Sequence, residues 1–370
     1  MFSRIKEFIS KETVLCIAAV CAIATMFLVP PDQEYLHYID FRVLCLLFCL
    51  MAVVTDFKAI GVFHWLTYQL LRRLHSGRAL SVMLILLPFF SSMFVTNDVA
   101  LIIFIPFTLM LLEQLDCSRS IIPVTVFQTV AANLGSMATP VGNPQNLYLY
   151  AFYNISIGDF FSVTLPLTAI SLLLLSVAAF PLLPRLLPER RLDRADIQNG
   201  RQLLIYLALF VLCLLTVFRI VPYILTTIIT VVVLFVIDRK LLKQIDYMLL
   251  LTFVCFFTIS ENLGRMDVIR SFLQQLLQWN TLLTAVAASQ VISNVPAAIV
   301  LSGFSQQWQQ MLAGVNIGGL GTPIASLASL ITIKFYMRWP GAKIARFIAF
   351  FTVVNVIALG ILLLFAQQIG

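Results

Sequence analysis

Apolar runs close to the length that crosses a bilayer's hydrocarbon core follow one another along the whole chain. Those at 13–29, 39–55, 160–184, 202–218, 222–237, 246–262 and 344–366 read as single helical crossings. Two more, 121–153 and 312–335, read as crossings broken in the middle, because one small-residue motif interrupts both. It runs Asn133-Leu-Gly-Ser-Met-Ala-Thr139-Pro140-Val-Gly-Asn143 in the first and Asn316-Ile-Gly-Gly-Leu-Gly-Thr322-Pro323-Ile-Ala-Ser326 in the second. An unwound stretch in lipid leaves backbone groups without partners, which is tolerated only where protein or a water-lined cavity satisfies them. Two such breaks at matching places of two half-chains mark a transporter's substrate site.

Two further apolar stretches, 80–112 and 281–303, hold polar residues at their centres: Ser91, Ser92, Thr96, Asn97 and Asp98, then Ser289, Gln290, Ser293 and Asn294. Burying such groups without partners costs about 2–7 kcal/mol each, so a straight span has no reason to carry them there. The pattern predicts re-entrant hairpins, with an Asn side chain capping the new helix at each tip.

The repeat reaches further. Asp40-Phe-Arg-Val-Leu-Cys-Leu-Leu-Phe-Cys49 opens a helix much as Asp246-Tyr-Met-Leu-Leu-Leu-Thr-Phe-Val-Cys255 does. Amphipathic segments follow both: 58–75, with Phe63, Leu66, Leu70 and Leu74 opposite Arg72 and His75, and 266–278, with Leu273 and Leu277 opposite Arg270 and Gln274. Such segments lie along an interface, as surface anchors or as arms joining a fixed part to a moving one. The expected fold class is an all-α integral membrane protein, an inverted-repeat transporter with two re-entrant helical hairpins and two broken transmembrane helices. The polar linker at 185–201 places the halves at 1–190 and 191–370.

Composition agrees: 61% of residues are hydrophobic and 11% charged, unlike a soluble domain. The net charge of +7 could suggest nucleic acid, but its placement argues otherwise. Threading nine crossings from an inside N-terminus leaves 20 of the 24 basic residues inside and only Arg42, Arg219, Arg265 and Arg270 outside. That is the positive-inside asymmetry. It predicts a multi-pass protein of the cytoplasmic membrane, N-terminus cytoplasmic and C-terminus outside, with no nucleic-acid partner. Residues 1–31 read as a retained first helix rather than a cleaved leader. The seven cysteines show no CxxC spacing and the three histidines no ligand spacing, so no metal or cofactor is predicted.

If the tips and breaks converge, helix N-termini there offer free N–H groups and positive dipole ends, beside hydroxyls and amides and without a fixed positive charge. That is an anion site. Carbonyl ends of the broken segments could equally coordinate Na⁺. The plainer alternative is that Asn97 and Asn294 only tie helices together. Asp98 is the one acidic residue placed deep in the membrane. It is expected to bind a coupling proton or cation; the alternative is a protonated carboxyl capping its own helix.

At these residues the chain resembles the ion-transporter superfamily. That superfamily groups arsenite efflux permeases, divalent-anion/sodium symporters of the citrate and dicarboxylate type, and a class of sodium/proton antiporters. The likeness spans about 39–184 and 220–366. Thr96-Asn97-Asp98-Val-Ala-Leu-Ile-Ile-Phe-Ile-Pro106 and Thr322-Pro323-Ile-Ala-Ser326-Leu-Ala-Ser329 are similar to arsenite-permease motifs, Gly142-Asn143-Pro144-Gln145-Asn146 to the anion symporters' first break. The resemblance implies an elevator mechanism, a dimerising scaffold and hence a homodimer, and a site lined by Thr96, Asn97, Asp98, Thr139, Asn143 and Asn146 from one half. Ser293, Asn294, Thr322 and Ser326 would line it from the other. The symporters' paired Ser-Asn-Thr tips are Thr-Asn-Asp and Ser-Asn-Val here; Val295 and Pro296 remove a hydroxyl that would coordinate a carboxylate or sodium.

The expected function is secondary active transport of a small inorganic or organic anion, coupled to H⁺ or Na⁺. Arsenite or antimonite efflux and Na⁺/H⁺ antiport are the alternatives within the superfamily, and a passive ion channel is the alternative outside it. No HExxH, Gly-x-Ser-x-Gly or His/Asp cluster points to an enzyme.

Overall fold

The computed structural model describes residues 12–62, 65, 68–69, 76–184, 199–237 and 239–369, and among them all regular structure is helical. The first half runs α1 (Thr13–Leu28), α2 (Phe41–Ala59), α3 (Gly77–Val95), α4 (Asn97–Gln114), α5 (Ile121–Ser136), α6 (Pro144–Phe152) and α7 (Ile157–Ala179). The second runs α8 (Gly200–Val217), α9 (Tyr223–Ile237), the short α10 (Arg239–Leu242), α11 (Tyr247–Gly264), α12 (Asp267–Ile292), α13 (Asn294–Ser302), α14 (Trp308–Ile317), α15 (Leu327–Met337) and α16 (Ile344–Ile369). The predicted amphipathic face at 58–75 and the linker at 185–201 fall largely outside the described residues.

Local chemistry sets the matching helix starts. Asp40 Oδ1 accepts from Val43 N at 3.0 Å to open α2, and Asp246 Oδ1 accepts from Leu249 N at 2.9 Å to open α11. Each is an N-cap that satisfies an orphan donor of the first turn.

Both polar-centred stretches fold back on themselves. Gln128 Nε2 donates to Leu84 O and to Thr108 Oγ1, both at 2.8 Å, and these two residues stand equally far in sequence from Thr96. Thr281 Oγ1 and Ser305 Oγ lie 3.2 Å apart, equally far from Ser293. The arms α3 and α4 therefore lie side by side, as do the last part of α12 and the chain through α13. By length and composition α3 and α4 are each long enough to cross a membrane, so hydropathy alone reads them as two spans. The turn residues are Thr96 (φ 75°, ψ 150°) and Ser293 (φ 74°, ψ 155°). The predicted Asn caps are corrected here. Asn97 and Asn294 occupy the first helical position, and the N-cap residues Thr96 and Ser293 make no side-chain cap bond; Asn97 Oδ1 accepts from its neighbour Asp98 N, at 2.9 Å.

Helix α12 joins the predicted amphipathic segment to the first hairpin arm through a kink at Asn280 (φ −165°, ψ 101°), whose Oδ1 accepts from Leu283 N at 2.8 Å. Ahead of the kink Leu277 is buried while Val268, Phe272 and Trp279 are exposed.

The helices pack in matched pairs. Arm α4 packs on α15, and arm α13 packs on α6, so each hairpin leans on the second piece of the other half's broken helix. Thr129 Oγ1 and Thr332 Oγ1, 2.7 Å apart, join α5 to α15 directly. Close approach demands glycine at the in-register pair Gly135 and Gly318. A Cβ on Gly135 would sit 2.0 Å from Phe89 O on α3, and one on Gly318 would sit 2.7 Å from Ser289 Oγ on α12. Large apolar side chains such as Phe27, Leu173, Leu204, Val236 and Leu364 remain exposed around the outside. Six helices among the described residues that are long and apolar enough to cross, and this apolar exterior, make the chain a multi-pass integral membrane protein.

Candidate functional site

The two broken helices restart at side-chain caps. Asn143 Oδ1 accepts from Asn146 N at 3.0 Å with Pro144 at the first position of α6, and Ser326 Oγ accepts from Ala328 N at 3.2 Å ahead of α15. Asn and Ser are good caps, and proline pre-sets the first turn.

Each cap also reaches the first Asn of the other half's motif. Ser326 Oγ donates to Asn133 Oδ1 at 3.0 Å, and Asn143 Nδ2 donates to Asn316 Oδ1 at 3.3 Å. The first tip joins the same network, because Asn97 Nδ2 donates to Asn133 Oδ1 at 2.9 Å. Asn316 Nδ2 donates to Asn146 Oδ1 at 2.7 Å, and Asn133 Nδ2 to Gly319 O at 3.3 Å. Asn146 Nδ2 turns back to the unwound carbonyls of Ser136, Met137 and Thr139. Asn97, Asn133, Asn143, Asn146, Asn316 and Ser326 are all buried.

The second tip stands next to this network. Asn294 N donates to Ala325 O at 3.0 Å, and Ser293 Oγ donates to the same carbonyl at 3.3 Å. The in-register threonines act as clamps rather than as part of the amide network. Thr139 Oγ1 donates to Met93 O and Thr322 Oγ1 to Gln290 O at 3.1 Å, each one turn ahead of its own hairpin's tip. Thr322 itself lies at the exposed rim. Gln290 completes the second clamp, donating to Gly318 O and Leu320 O and accepting from Thr322 N. Asp98 follows the first tip; its Oδ1 is buried with no hydrogen-bond partner among the described residues.

The structure thus gathers Asn97, Asn143, Asn146 and Ser326 into one bonded cluster, sets Ser293 and Asn294 beside it, and places Thr96 and Asp98 at the adjoining turn. Sequence reasoning left Asn133, Asn316, Ser136 and Gln290 out of the expected lining. The signal for the first two was present, since Asn133 and Asn316 hold the same position at the head of the repeated motif. Among the described residues no group of three or more His, Cys, Asp or Glu side chains is placed to hold a metal ion. The cluster offers amides, hydroxyls and helix N-termini, suited to holding a small charged solute through neutral groups.

Comparison with known proteins bears on what such a cluster serves. The chain is 31% identical over 336 residues to an uncharacterized transporter of Methanocaldococcus jannaschii, which covers 90% of this chain and 92% of that protein. It is 28% identical over 319 residues to the inner membrane protein YbiR of Escherichia coli, 84% of each chain. Over 180 residues, 48% of this chain and 21% of the other, it is 31% identical to the human P protein. The pattern of a family described as citrate transporter matches residues 1–313. The chain is therefore a membrane transport protein and not an enzyme, and it belongs to the citrate transporter family within the ion-transporter superfamily.

Proposed function

We propose that this protein is a secondary active transporter that moves a small anion across the cytoplasmic membrane by an elevator-type alternating-access mechanism, coupled to H⁺ or Na⁺. The observation that carries this reading is the reciprocal bond pair Ser326–Asn133 and Asn143–Asn316, in which each half's helix restart is held by the other half's motif. Such exchange is what an inverted repeat builds around a midplane site. The halves are 1–190 and 191–370, and the hairpins enter the membrane and turn back at Thr96 and Ser293. Asn97 bonding to Asn133 beside both helix breaks supports a tip at mid-depth rather than at the membrane surface.

The anion binds where the starts of α4 and α13 converge. Thr96 and Ser293 make no side-chain cap bond at these two helix starts, so their positive dipole ends are offered to a ligand, although Asp98 N is held by Asn97 Oδ1 and Asn294 N by Ala325 O; α6 and α15 are capped internally. Thr96, Asn97, Ser293 and Asn294 line the pocket; Asn143, Asn146 and Ser326 hold its floor. Asp98 carries the coupling cation or proton, because a buried carboxylate oxygen without a partner is expensive unless neutralised. The hairpins, broken helices, α7 and α16 move together as the transport unit. They slide against a scaffold of α1, α2, α8, α9 and α11, through which two copies dimerise. The N-terminus lies in the cytoplasm and the C-terminus outside, by the placement of basic residues.

Proteoliposome flux decides among the readings. Saturable uptake and counterflow of an organic or inorganic anion, driven by a proton or sodium gradient, are expected. Arsenite or antimonite export as the sole activity would move the assignment to the metalloid permeases. Cation exchange that persists with no anion present would move it to the antiporters. Single-channel currents would sink the carrier reading.

A further inference from the structure

A cavity of about 520 Å³ opens away from the shared network, where the start of α5, the end of α15 and the start of α16 meet. Its walls divide into a cationic rim and an apolar slot. Arg119, Lys343 and Arg346 stand at the rim, exposed, and the walls hold no acidic residue. Among the described residues no ion pair engages these three cations. Beside them, the part-buried Ile122 on α5 and Phe350 on α16 and the exposed Val353 form the slot. Arg346, Phe350 and Val353 fall at i, i+4 and i+7, one face of one helix, so charge passes to apolar surface along a single line. Phe350 is held in place by Phe127, edge-on with ring centroids 6.3 Å apart.

Trp339 stands between the two zones. Its indole Nε1 is buried and has no hydrogen-bond partner, a donor left over in a polar wall. Gly341 lets the ring lie there, since a Cβ at that position would sit 2.3 Å from it. The neighbouring phenol of Tyr336 is withdrawn into the core, its Oη accepting from Lys343 N at 2.9 Å. What remains is an N–H donor and three cations above an apolar slot. That chemistry fits a phosphate ester with a hydrocarbon tail.

We propose that this cavity binds an anionic phospholipid, with the phosphate among Arg119, Lys343, Arg346 and Trp339 Nε1 and an acyl chain along Ile122, Phe350 and Val353. Basic pockets between membrane helices take lipid headgroups in this way. A free phosphate shares the polar half of the chemistry and leaves the apolar slot unfilled. The lipid would grip α5, α15 and α16 together.

Native mass spectrometry of the purified full-length protein in non-ionic detergent tests this. Titration uses phosphatidylglycerol, phosphatidylcholine and, separately, inorganic phosphate. Phosphatidylglycerol is expected to bind at least about tenfold tighter than phosphatidylcholine. Arg119→Gln and Arg346→Gln should each weaken it by about fivefold, the value of one basic residue near an anionic headgroup. Arg346→Lys should retain it. Phosphatidylglycerol brominated on its acyl chains should quench the fluorescence of wild-type protein more than that of Trp339→Phe. Unchanged melting of each variant in lipid-free detergent shows that it is folded. Equal affinity for the two lipids, indifference to both arginine substitutions, or equal quenching with Trp339→Phe overturns the proposal. Displacement of the lipid by millimolar phosphate, with the same arginine dependence, overturns the lipid as occupant in favour of a soluble phosphate.

Discussion

Thr96 and Ser293 adopt one backbone conformation, φ 75° and ψ 150° against φ 74° and ψ 155°, at the tips of two hairpins in different halves of the chain. That region is essentially reserved for glycine and costs other residues about 1–3 kcal/mol. The same unfavourable geometry recurs at both tips in residues carrying a hydroxyl, as the proposed lining role of Thr96 and Ser293 requires. Thr96→Gly and Ser293→Gly should therefore stabilise detergent-purified protein against thermal unfolding, by up to about 2 kcal/mol once glycine's added chain entropy is offset. Anion transport should fall in the same variants. A loss of stability in both would remove the strain argument.

Asn133 Oδ1 accepts from Asn97 and Ser326 together, so removing it orphans two buried donors. Asn133→Ala should cost about 1–3 kcal/mol per orphaned donor. Ser326→Ala should cost about 0.5–2 kcal/mol as a lost cap. The double variant should be less damaging than the sum by about 1 kcal/mol, as residues in contact are. Additive unfolding free energies would mean that the bond between the halves contributes nothing.

Gly142 passes so close to Ser136 that a Cβ would lie 2.1 Å from its carbonyl oxygen, and Gly135 is as tightly set against Phe89 O. Backbone cannot yield as a side-chain tip does. Gly135→Ala and Gly142→Ala should each lose about 3 kcal/mol or more, seen as lost monodisperse protein on size exclusion. Gly360→Ala, on an open stretch of α16, is the control and should gain about 0.5–1 kcal/mol.

Asp98→Asn removes the one ionisable group among the ten candidate residues. Under the coupling role, uptake in proteoliposomes should lose its dependence on the driving gradient and flatten against pH, while equilibrium exchange of anion persists. Wild-type pH dependence in the variant would assign coupling elsewhere.

Outside the membrane helices, Arg265 Nη2 meets Asp32 Oδ2 at 2.7 Å, and its other arm donates to Tyr38 Oη at 2.8 Å. The guanidinium holds the Asp32 carboxyl below its ordinary value of 3.8. A depressed carboxylate stabilises the fold above its unfolded pKa, and that contribution is lost as pH falls through the lower folded value. The pair is solvent-exposed, so Arg265→Gln should change melting only slightly near neutral pH, and the difference should vanish in acid. A difference that grows on acidification would reverse the assignment.

Much of this architecture could be read from residues alone because the bilayer enforces it. The Asp40 and Asp246 caps, the breaks after Ser136 and Ile317, and the turns at 96 and 293 all lay where polar groups interrupt apolar runs. What stayed hidden was partnership across the halves. The motif marks Asn133 and Asn316 as the heads of the breaks, whereas the structure keeps both on the helix before each break, and only three-dimensional packing hands each of them the other half's cap. Capping was also misassigned at the tips, where the chain turns through a strained Thr or Ser and leaves the Asn one position inside the helix. The clamp by Gln290 needed a glycine with φ 100° at Gly321, against which its amide lies, and no spacing rule reports that.

Because nine of the ten candidate lining residues are neutral amides or hydroxyls, the walls bring no countercharge of their own besides Asp98. Whatever net charge the passenger and its companion ion carry would then be felt in full by the membrane potential, at about 2.3 kcal/mol per elementary charge for every 100 mV. Voltage would accelerate or stall the cycle according to stoichiometry alone, and a current recorded across such a membrane would count the ions in each trip.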